Sequence, residues 1–494
     1  MLSIWSLLCW ASLILSSQAQ EQPEIGNCHL WTGAPECGWE PNLRPMEVFD
    51  STFYAYVPPD VSTYYNETDG TRKVQTMKHN GFFGKFINLS PDPVRVHWDG
   101  GGSSGLVYIS SVPPFSSSGT ATYPTHKFVV TPENDSTTIL HKWTIQSGNS
   151  LYYYDPFDFD YAKAQKALTE QQLVLYHLQW QNKQFAEAYK KFTGTDWLAL
   201  YGQKLAPRFH QWRADFIGQT HSITTNQIHF VEKPDPEILQ RGTSVYGPRP
   251  DEVANVRPHR HKYPELNLTL TVLSCAPRVF EIPNFLSDVE VAHILDIAGA
   301  SDMQRSGVRA SEGSDVATSN TRTSTNTWVS RKTDIIIDAI YQRAAAVLHI
   351  DESLLRYRHK FEVPEFTESR TSIAEPLQLV HYNPAEKYDP HHDFTMPGLV
   401  HLQPSRFATL LLYLNDDMEG GETAFPVWRN GETSEPLMVK PERGKAVLFY
   451  SVLPDGNFDN LSLHEARPVR KGEKFLTNLW VWEPLLDHTT ARHI

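Results

Sequence analysis

The sequence is poor in cysteine, with four in 494 residues, one of which, Cys9, lies in an N-terminal apolar stretch. A scaffold held mainly by disulfides is thereby excluded. It also lacks a basic excess: 44 Lys plus Arg stand against 57 Asp plus Glu, a net charge of −13. A protein that reads a nucleic-acid backbone carries the opposite balance, so no nucleic-acid partner is expected. Long blocks of one charge and internal repeats are missing too. Beyond the first residues no apolar run approaches the ~20 residues of a membrane-spanning helix. What is present is an ordinary globular composition, 40% hydrophobic and 20% charged, with Gly 27 and Pro 34. Main-state disorder is excluded, and at roughly 150 residues per domain the chain is too long for one core. Aromatic residues reach 12%, which suits large cores and surfaces that grip extended chains alike.

The stretch Met1 to Ala19 holds an apolar run from Ile4 to Leu15, then Ser17 and Ala19 as small residues before a cleavage point, and no Lys or Arg precedes Arg44. It reads as a secretory signal peptide, leaving no transmembrane segment after cleavage. The expected location is the secretory pathway, in the lumen of the endoplasmic reticulum, with the Golgi or export as alternatives; the terminal Thr490 to Ile494 is not a KDEL-type signal. In that oxidising setting the short spacing of Cys28 and Cys37, with Gly33 and Pro35 between, allows a local disulfide and leaves Cys275 unpaired. Glycosylation sequons begin at Asn66, Asn88, Asn134, Asn267 and Asn460.

Residues 20–75 form an irregular lead-in rich in Pro, Tyr and acidic residues. Over 76–156, short β-rich runs separated by turn clusters such as Gly100-Gly101-Gly102 predict a small antiparallel sandwich. The period then changes. Leu178, Phe185, Tyr189 and Phe192 with Gly194 as a stop predict one long helix from Tyr161, and Thr195-Asp196 can cap a second towards Phe216, making 157–231 a helical region. Residues 232–275, rich in Pro, Arg and His, read as a linker. In the unit at 276–486, Ser287 to Glu290 is a capping box opening a helix that Gly299 stops, and Ile336, Ile337, Ile340, Ala344 and Val347 mark another. Strand-like runs follow: Leu377 to Tyr382, Ala408 to Leu414, Ala446 to Tyr450 and Phe475 to Trp482. Helices followed by many strands predict an α+β domain with a double-sheet barrel, and 487–494 form a tail.

The run Tyr388-Asp389-Pro390-His391-His392-Asp393 contains H-x-D, and on a strand His391 and Asp393 project from one face. Alone this pattern arises by chance, and histidines in a turn are usually just solvated. Here a third imidazole, His464, and then Lys474 follow in order. Two imidazoles and one carboxylate on one face of an octahedral ion are the donor set of non-haem Fe(II) oxygenases, whereas zinc more often takes three His, His₂Glu or Cys. Lys474, Asn478, Trp480 and Trp482 share a strand face, so the ammonium is expected to point inward, where it can pair with the far carboxylate of 2-oxoglutarate.

With those residues in view, Val279 to Pro484 resembles the catalytic domain of the prolyl 4-hydroxylase family, most closely its plant and algal branch. The matching stretches are Arg322-Thr323-Ser324, Glu375 to Tyr382, Lys387 to Asp393, Arg406 to Thr409, Gly420 to Pro426, Leu463-His464 and Gly472 to Lys474. The resemblance implies a double-stranded β-helix (jelly-roll) fold and Fe(II), 2-oxoglutarate, O2 and L-ascorbate as cofactors. It further implies His391, Asp393 and His464 as metal ligands, Lys474 as the 2-oxoglutarate anchor, and Tyr382 and Thr423 as its polar neighbours. Arg322, Ser324, Glu375, Tyr388, Arg406 and Trp480 are then expected near the peptide. One departure is Trp480-Val481-Trp482, where plant-like members commonly have Trp-x-His. Neither the separate peptide-binding helical domain nor the disulfide-isomerase partner of animal collagen-type enzymes is recognisable. Residues 81–154 bear a fainter resemblance to the β-domain of von Hippel-Lindau proteins, which recognises hydroxyproline; Thr122 and His126 match two polar positions, while Phe128 replaces a Trp.

The expectation is therefore a peptidyl-proline 4-hydroxylase acting on proline-rich polypeptides, which are already close to polyproline II and bind aromatic grooves at low ordering cost. Tyr388, Trp328 and Trp480 are the candidate groove aromatics. The rivals are a degenerate dioxygenase fold that binds peptide without turnover, and a hydroxylase acting on lysine.

Overall fold

The computed structural model describes residues 40–59, 61, 63–66, 68–75, 79–101, 105–199, 209–239, 265–308, 317–318, 320–359, 369–394, 405–431 and 433–484. The signal peptide, Cys28, Cys37, most of the expected linker and the 487–494 tail lie outside the described residues. Among the described residues no helix is long and apolar enough to cross a membrane.

A hairpin, β1 (Leu43–Val48) and β2 (Ser51–Tyr56), stands where the irregular lead-in was expected, and it buries Met46, Phe53 and Ala55. Seven strands follow: β3 (Phe82–Asn88), β4 (Val94–Asp99), β5 (Leu106–Val112), β6 (Ser117–Thr122), β7 (Lys127–Pro132), β8 (His141–Thr144) and β9 (Leu151–Tyr154). They form two sheets, β8-β7-β4-β5 and β9-β3-β6. Phe86, Val96, Phe128, Val130, Trp143 and Tyr152 fill the space between them.

The expected single long helix is two. The first, α1 (Tyr161–Ala167), ends at Leu168, and Thr169 opens α2 (Glu170–Thr193) with a reciprocal capping box to Gln172. The second closes at Gly194, whose φ of 80° suits a residue without Cβ. Its buried face is Tyr176, Phe185, Ala186 and Tyr189, whereas Phe192 is exposed. The further helix expected from Thr195-Asp196 is absent from the described residues 195–199 and 209–231. Asp196 accepts from the Ser150 amide instead of capping, and the Leu198 amide donates to Asn457 Oδ1 of a distant loop. In place of that helix, β10 (Thr220–Thr225) pairs with β11 (Leu266–Cys275), so both the helical region and the linker give up a strand to the C-terminal sheet.

That sheet has nine strands. With β12 (Arg278–Ile282), β13 (Gln304–Arg305), β14 (Thr325–Val329), β15 (Leu377–Tyr382), β16 (Tyr388–His391), β17 (Arg406–Tyr413), β18 (Thr423–Phe425), β19 (Leu437–Val439), β20 (Ala446–Tyr450), β21 (His464–Ala466) and β22 (Lys474–Trp482), the order is β10-β11-β12-β20-β17-β22-β15-β14-β13. Facing it is a four-stranded sheet, β16-β21-β18-β19. The period-two alternation separates two cores. Leu377, Leu379, Leu410, Leu412, Leu448, Leu479 and Val481 pack outward against α3 (Asp288–Ala300) and α4 (Ile335–Leu348). Their alternating neighbours Val380, Tyr382, Leu411, Tyr413, Val447, Phe449 and Leu476 face inward and meet Phe425 and Val439 of the smaller sheet. The unit is a jelly-roll barrel with helices on its outer face, an α+β domain. Both helices start as their sequences dictate, with the Ser287–Glu290 capping box and with Asp334 accepting from the Ile336 and Ile337 amides.

Candidate active site

His391 ends β16 and His464 begins β21, and the two stand opposite one another in the antiparallel register. The Nδ1 of His391 lies 2.8 Å from the Asp389 carbonyl and that of His464 lies 3.0 Å from the Ser462 carbonyl. A carbonyl oxygen only accepts, so both Nδ1 atoms carry a proton, and the neutral form of each ring has its lone pair on Nε2. The Nε2 atoms point at Asp393, 3.8 Å from Oδ1 and 3.7 Å from Oδ2 respectively. The three donors lie within 4.8 Å of one another.

Protonation states at neutral pH also suit a cation. Burial, followed by the neighbouring His464, holds His391 far below the usual imidazole range. Burial opposes ionisation of Asp393, but His464, His391, Arg406 and the Thr409 hydroxyl outweigh it and keep the carboxyl well below the usual carboxylate range. The Thr409 hydroxyl and the Trp480 indole N–H both donate to Asp393 Oδ2, at 2.7 and 3.0 Å. That leaves Oδ1 for an ion. Tyr388 stacks on His391 at 3.5 Å between centroids, and the Arg322 guanidinium lies 4.7 Å from the Tyr388 ring. Two imidazoles and one carboxylate, each oriented by a second contact, fit Fe(II).

Lys474 opens β22 from inside the barrel and is 1% exposed. Its ammonium donates to the Gly421 carbonyl at 2.6 Å and sits 5.4 and 5.6 Å from the rings of Tyr382 and Tyr413. Burial lowers its pKa to about 7, with Glu422 acting weakly in the other direction. The Tyr413 hydroxyl donates to Thr423 at 2.7 Å, so Thr423 belongs to the same polar wall. The turn carrying Gly421 needs glycine one residue earlier, because at Gly420 φ is +82° and a Cβ would lie 2.5 Å from the Pro468 carbonyl oxygen.

At the rim, Arg406 forms a two-pronged pair with Glu375, at 2.7 and 3.2 Å, and lies 3.8 Å from the centre of the Trp480 ring. The Trp482 indole N–H donates to Glu375 at 2.7 Å. The residue that departs from the family pattern thus braces the same carboxylate. Trp328, half exposed, stands 6.0 Å from Trp480. Three residues expected near the peptide also make contacts inside the barrel wall. Ser324 is fully buried with its hydroxyl on Ser306, Tyr388 packs flat on a candidate ligand ring, and Trp480 donates its indole proton to Asp393. In the sandwich, Thr122 and His126 face one another at 3.2 Å. Sequence reading missed Thr409, His392, Phe394, Phe458 and Asn460; Thr409 alone carried a signal, since it shares the inward face of β17 with Leu411 and Tyr413.

Residues 377–482 match the family model of the 2OG-Fe(II) oxygenase superfamily. Among curated proteins of Arabidopsis thaliana, "Probable prolyl 4-hydroxylase 8" is 33% identical over 43% of this chain and 70% of its own length. "Probable prolyl 4-hydroxylase 3" is 34% identical over 42% and 71%. A solved viral collagen prolyl hydroxylase from Paramecium Bursaria Chlorella virus-1, in its 2OG complex, aligns with 41% of this chain and 95% of its own at 24% identity and a TM-score of 0.31. The superfamily brings Fe(II), 2-oxoglutarate and O2 as cofactors, with ascorbate typical of prolyl hydroxylases. The chain belongs to the prolyl 4-hydroxylase family of Fe(II)- and 2-oxoglutarate-dependent dioxygenases.

Proposed function

We propose that this chain is a peptidyl-proline 4-hydroxylase of the secretory pathway, acting on proline-rich polypeptides. In this reading His391, Asp393 and His464 hold Fe(II), Lys474 receives the far carboxylate of 2-oxoglutarate, and Tyr382 and Thr423 line that pocket. The observation that carries it is the convergence of two imidazole Nε2 atoms and one ionised carboxylate in a barrel that also buries Lys474. A catalytically degenerate binder would be expected to have lost a member of this set. The similarity to plant prolyl 4-hydroxylases favours proline over lysine as the target.

Bound Fe(II) with 2-oxoglutarate and O2 supplies oxidative decarboxylation to succinate and CO2 and transfer of one oxygen atom into a C–H bond. The chain's own residues do the positioning. The Nδ1 protons of His391 and His464 stay on backbone carbonyls and fix both rings, while Thr409 and Trp480 fix Asp393. Lys474 neutralises the incoming carboxylate inside the barrel, where water would otherwise compete. Arg406, Glu375 and Trp482 form a braced wall that, with Trp328, orients a prolyl ring.

Purified full-length protein with Fe(II), ascorbate and labelled 2-oxoglutarate should release CO2 slowly alone and faster with poly-proline, collagen-like or Ser-Pro peptides, with one oxygen placed on carbon 4 of proline. Binding without decarboxylation would favour the binder, and oxygen on lysine would overturn the substrate assignment. The secretory assignment rests on Met1 to Ala19; N-terminal sequencing of chain expressed in a eukaryotic host should begin at Gln20, and an intact cytosolic chain would refute it.

A further inference from the structure

The metal ligands His391 and Asp393 project into the barrel, whereas the residues between and after them, His392 and Phe394, turn the other way, onto Asn460, Phe83 and Phe458. That outer side is covered by the N-terminal sandwich. Phe83 of β3 meets Phe394 with ring centroids 4.9 Å apart and His392 at 5.7 Å, both edge to face. Phe394 in turn stacks on Phe458 at 4.6 Å, and Phe458 lies in the loop that leads to His464. Asn460, in the same loop, joins all three parts. Its carbonyl accepts from His392 Nε2 at 3.0 Å, and its side-chain Oδ1 accepts from the Phe83 amide at 2.9 Å.

We infer that Phe83 and Asn460 are positioning residues for the metal centre, so that the sandwich is a working part of the active site. The inference rests on the ligand assignment proposed above. Register pairing fixes His391 against His464, but Asp393 lies beyond the end of β16 and has no ladder partner to place it. Thr409 and Trp480 hold its carboxylate, and the flanking side chains, clamped between Phe83 and Phe458, hold its backbone. Space for the clamp is reserved on β6, where a Cβ on Gly119 would come 2.3 Å from the Phe83 ring. The loop before His464 is also tied from the N-terminal side, with Asp455 accepting from the Tyr56 amide at 2.7 Å and the Tyr189 hydroxyl at 2.6 Å.

The test is Co(II) titration of the full chain, read by the ligand-field spectrum of the bound ion, beside far-UV circular dichroism. Phe83→Ala and Asn460→Ala should keep the wild-type fold signal, bind Co(II) about tenfold more weakly and alter its spectrum, in line with the loss of an outer-shell contact. Asn460→Asp keeps an acceptor for the Phe83 amide and should restore both affinity and spectrum. Should Phe83→Ala fail to fold, the Asn460 pair decides alone, because Asn460 is half-exposed. A folded Asn460→Ala with wild-type affinity and spectrum overturns the inference. His391→Ala separates this failure from that of the ligand reading: wild-type Co(II) affinity in His391→Ala would sink the ligand assignment itself, and the inference with it.

Discussion

His391 and His464 face one another across an antiparallel pair with ring centroids 4.4 Å apart, and each ring gives its Nδ1 proton to the carbonyl two residues before it. The same local contact on both strands delivers two Nε2 atoms to one point beside Asp393. Replacing either histidine by alanine removes a donor that no described neighbour can replace, since the only other imidazole beside them, His392, is turned away onto the Asn460 carbonyl. Turnover should fall to background in His391→Ala, Asp393→Ala and His464→Ala with the fold retained. Near-normal activity of any of the three under limiting Fe(II) would remove that residue from the ligand set.

Thr409→Val and Trp480→Phe each delete one donor to Asp393 Oδ2 without changing bulk much. A hydrogen bond to a charged group is worth about 1.5–3 kcal/mol, so each variant should bind Fe(II) roughly ten- to a hundredfold more weakly, and the double variant more weakly still. Metal titration by calorimetry checks this. A loss of peptide affinity with metal affinity unchanged would leave Trp480 only the place near the peptide that its family resemblance implies.

What the sequence made legible was local in origin. The Ser287–Glu290 box and the Gly194 stop act within a few residues, and the H-x-D pair spans only three. The Thr169–Gln172 box, which splits the expected long helix after Leu168, shows only in the fold. The illegible contacts join distant segments. The Phe83 amide reaches Asn460 across 377 positions, and Leu198 reaches Asn457 across 259. It is the second of these that takes up a first-turn amide which a cap at Thr195 or Asp196 would otherwise have accepted. Trp482, an anomaly against the family pattern, becomes intelligible only once its indole is seen on Glu375, a residue far away in sequence.

One of the sequons sits where a glycan cannot be accommodated. Asn88 is buried, and its Nδ2 donates to the carbonyls of Asp92, Val112 and Pro113 at 2.8, 3.2 and 3.1 Å. Asn134 is exposed. In active protein made in a eukaryotic secretory host, peptide mapping should therefore find Asn88 unmodified and Asn134 available for modification. A glycan on Asn88 in folded, active enzyme would contradict the packing of β3 against the Asp92 and Val112 segments.

Lys474 links the cosubstrate to pH. Its pKa is lowered to about 7 because burial disfavours the ammonium. An exposed lysine titrates near 10.4, so between about pH 7 and pH 10 the folded protein without cosubstrate holds fewer protons at this site than the unfolded chain, and its stability rises with pH in that window. A carboxylate bound against Lys474 favours the charged form and raises the pKa again. Binding of 2-oxoglutarate should then take up a proton above pH 7. Its affinity should be flat below that point and fall above it, by up to about tenfold per pH unit. Calorimetry in two buffers of different ionisation enthalpy reads the proton directly. Lys474→Ala should lose about 3–5 kcal/mol of 2-oxoglutarate binding, because the cosubstrate carboxylate is left buried and unpaired, and should lose the pH dependence with it. Unchanged affinity in that variant would move the anchor to another cation, and a wild-type affinity independent of pH from 6 to 9 would mean that Lys474 stays charged throughout.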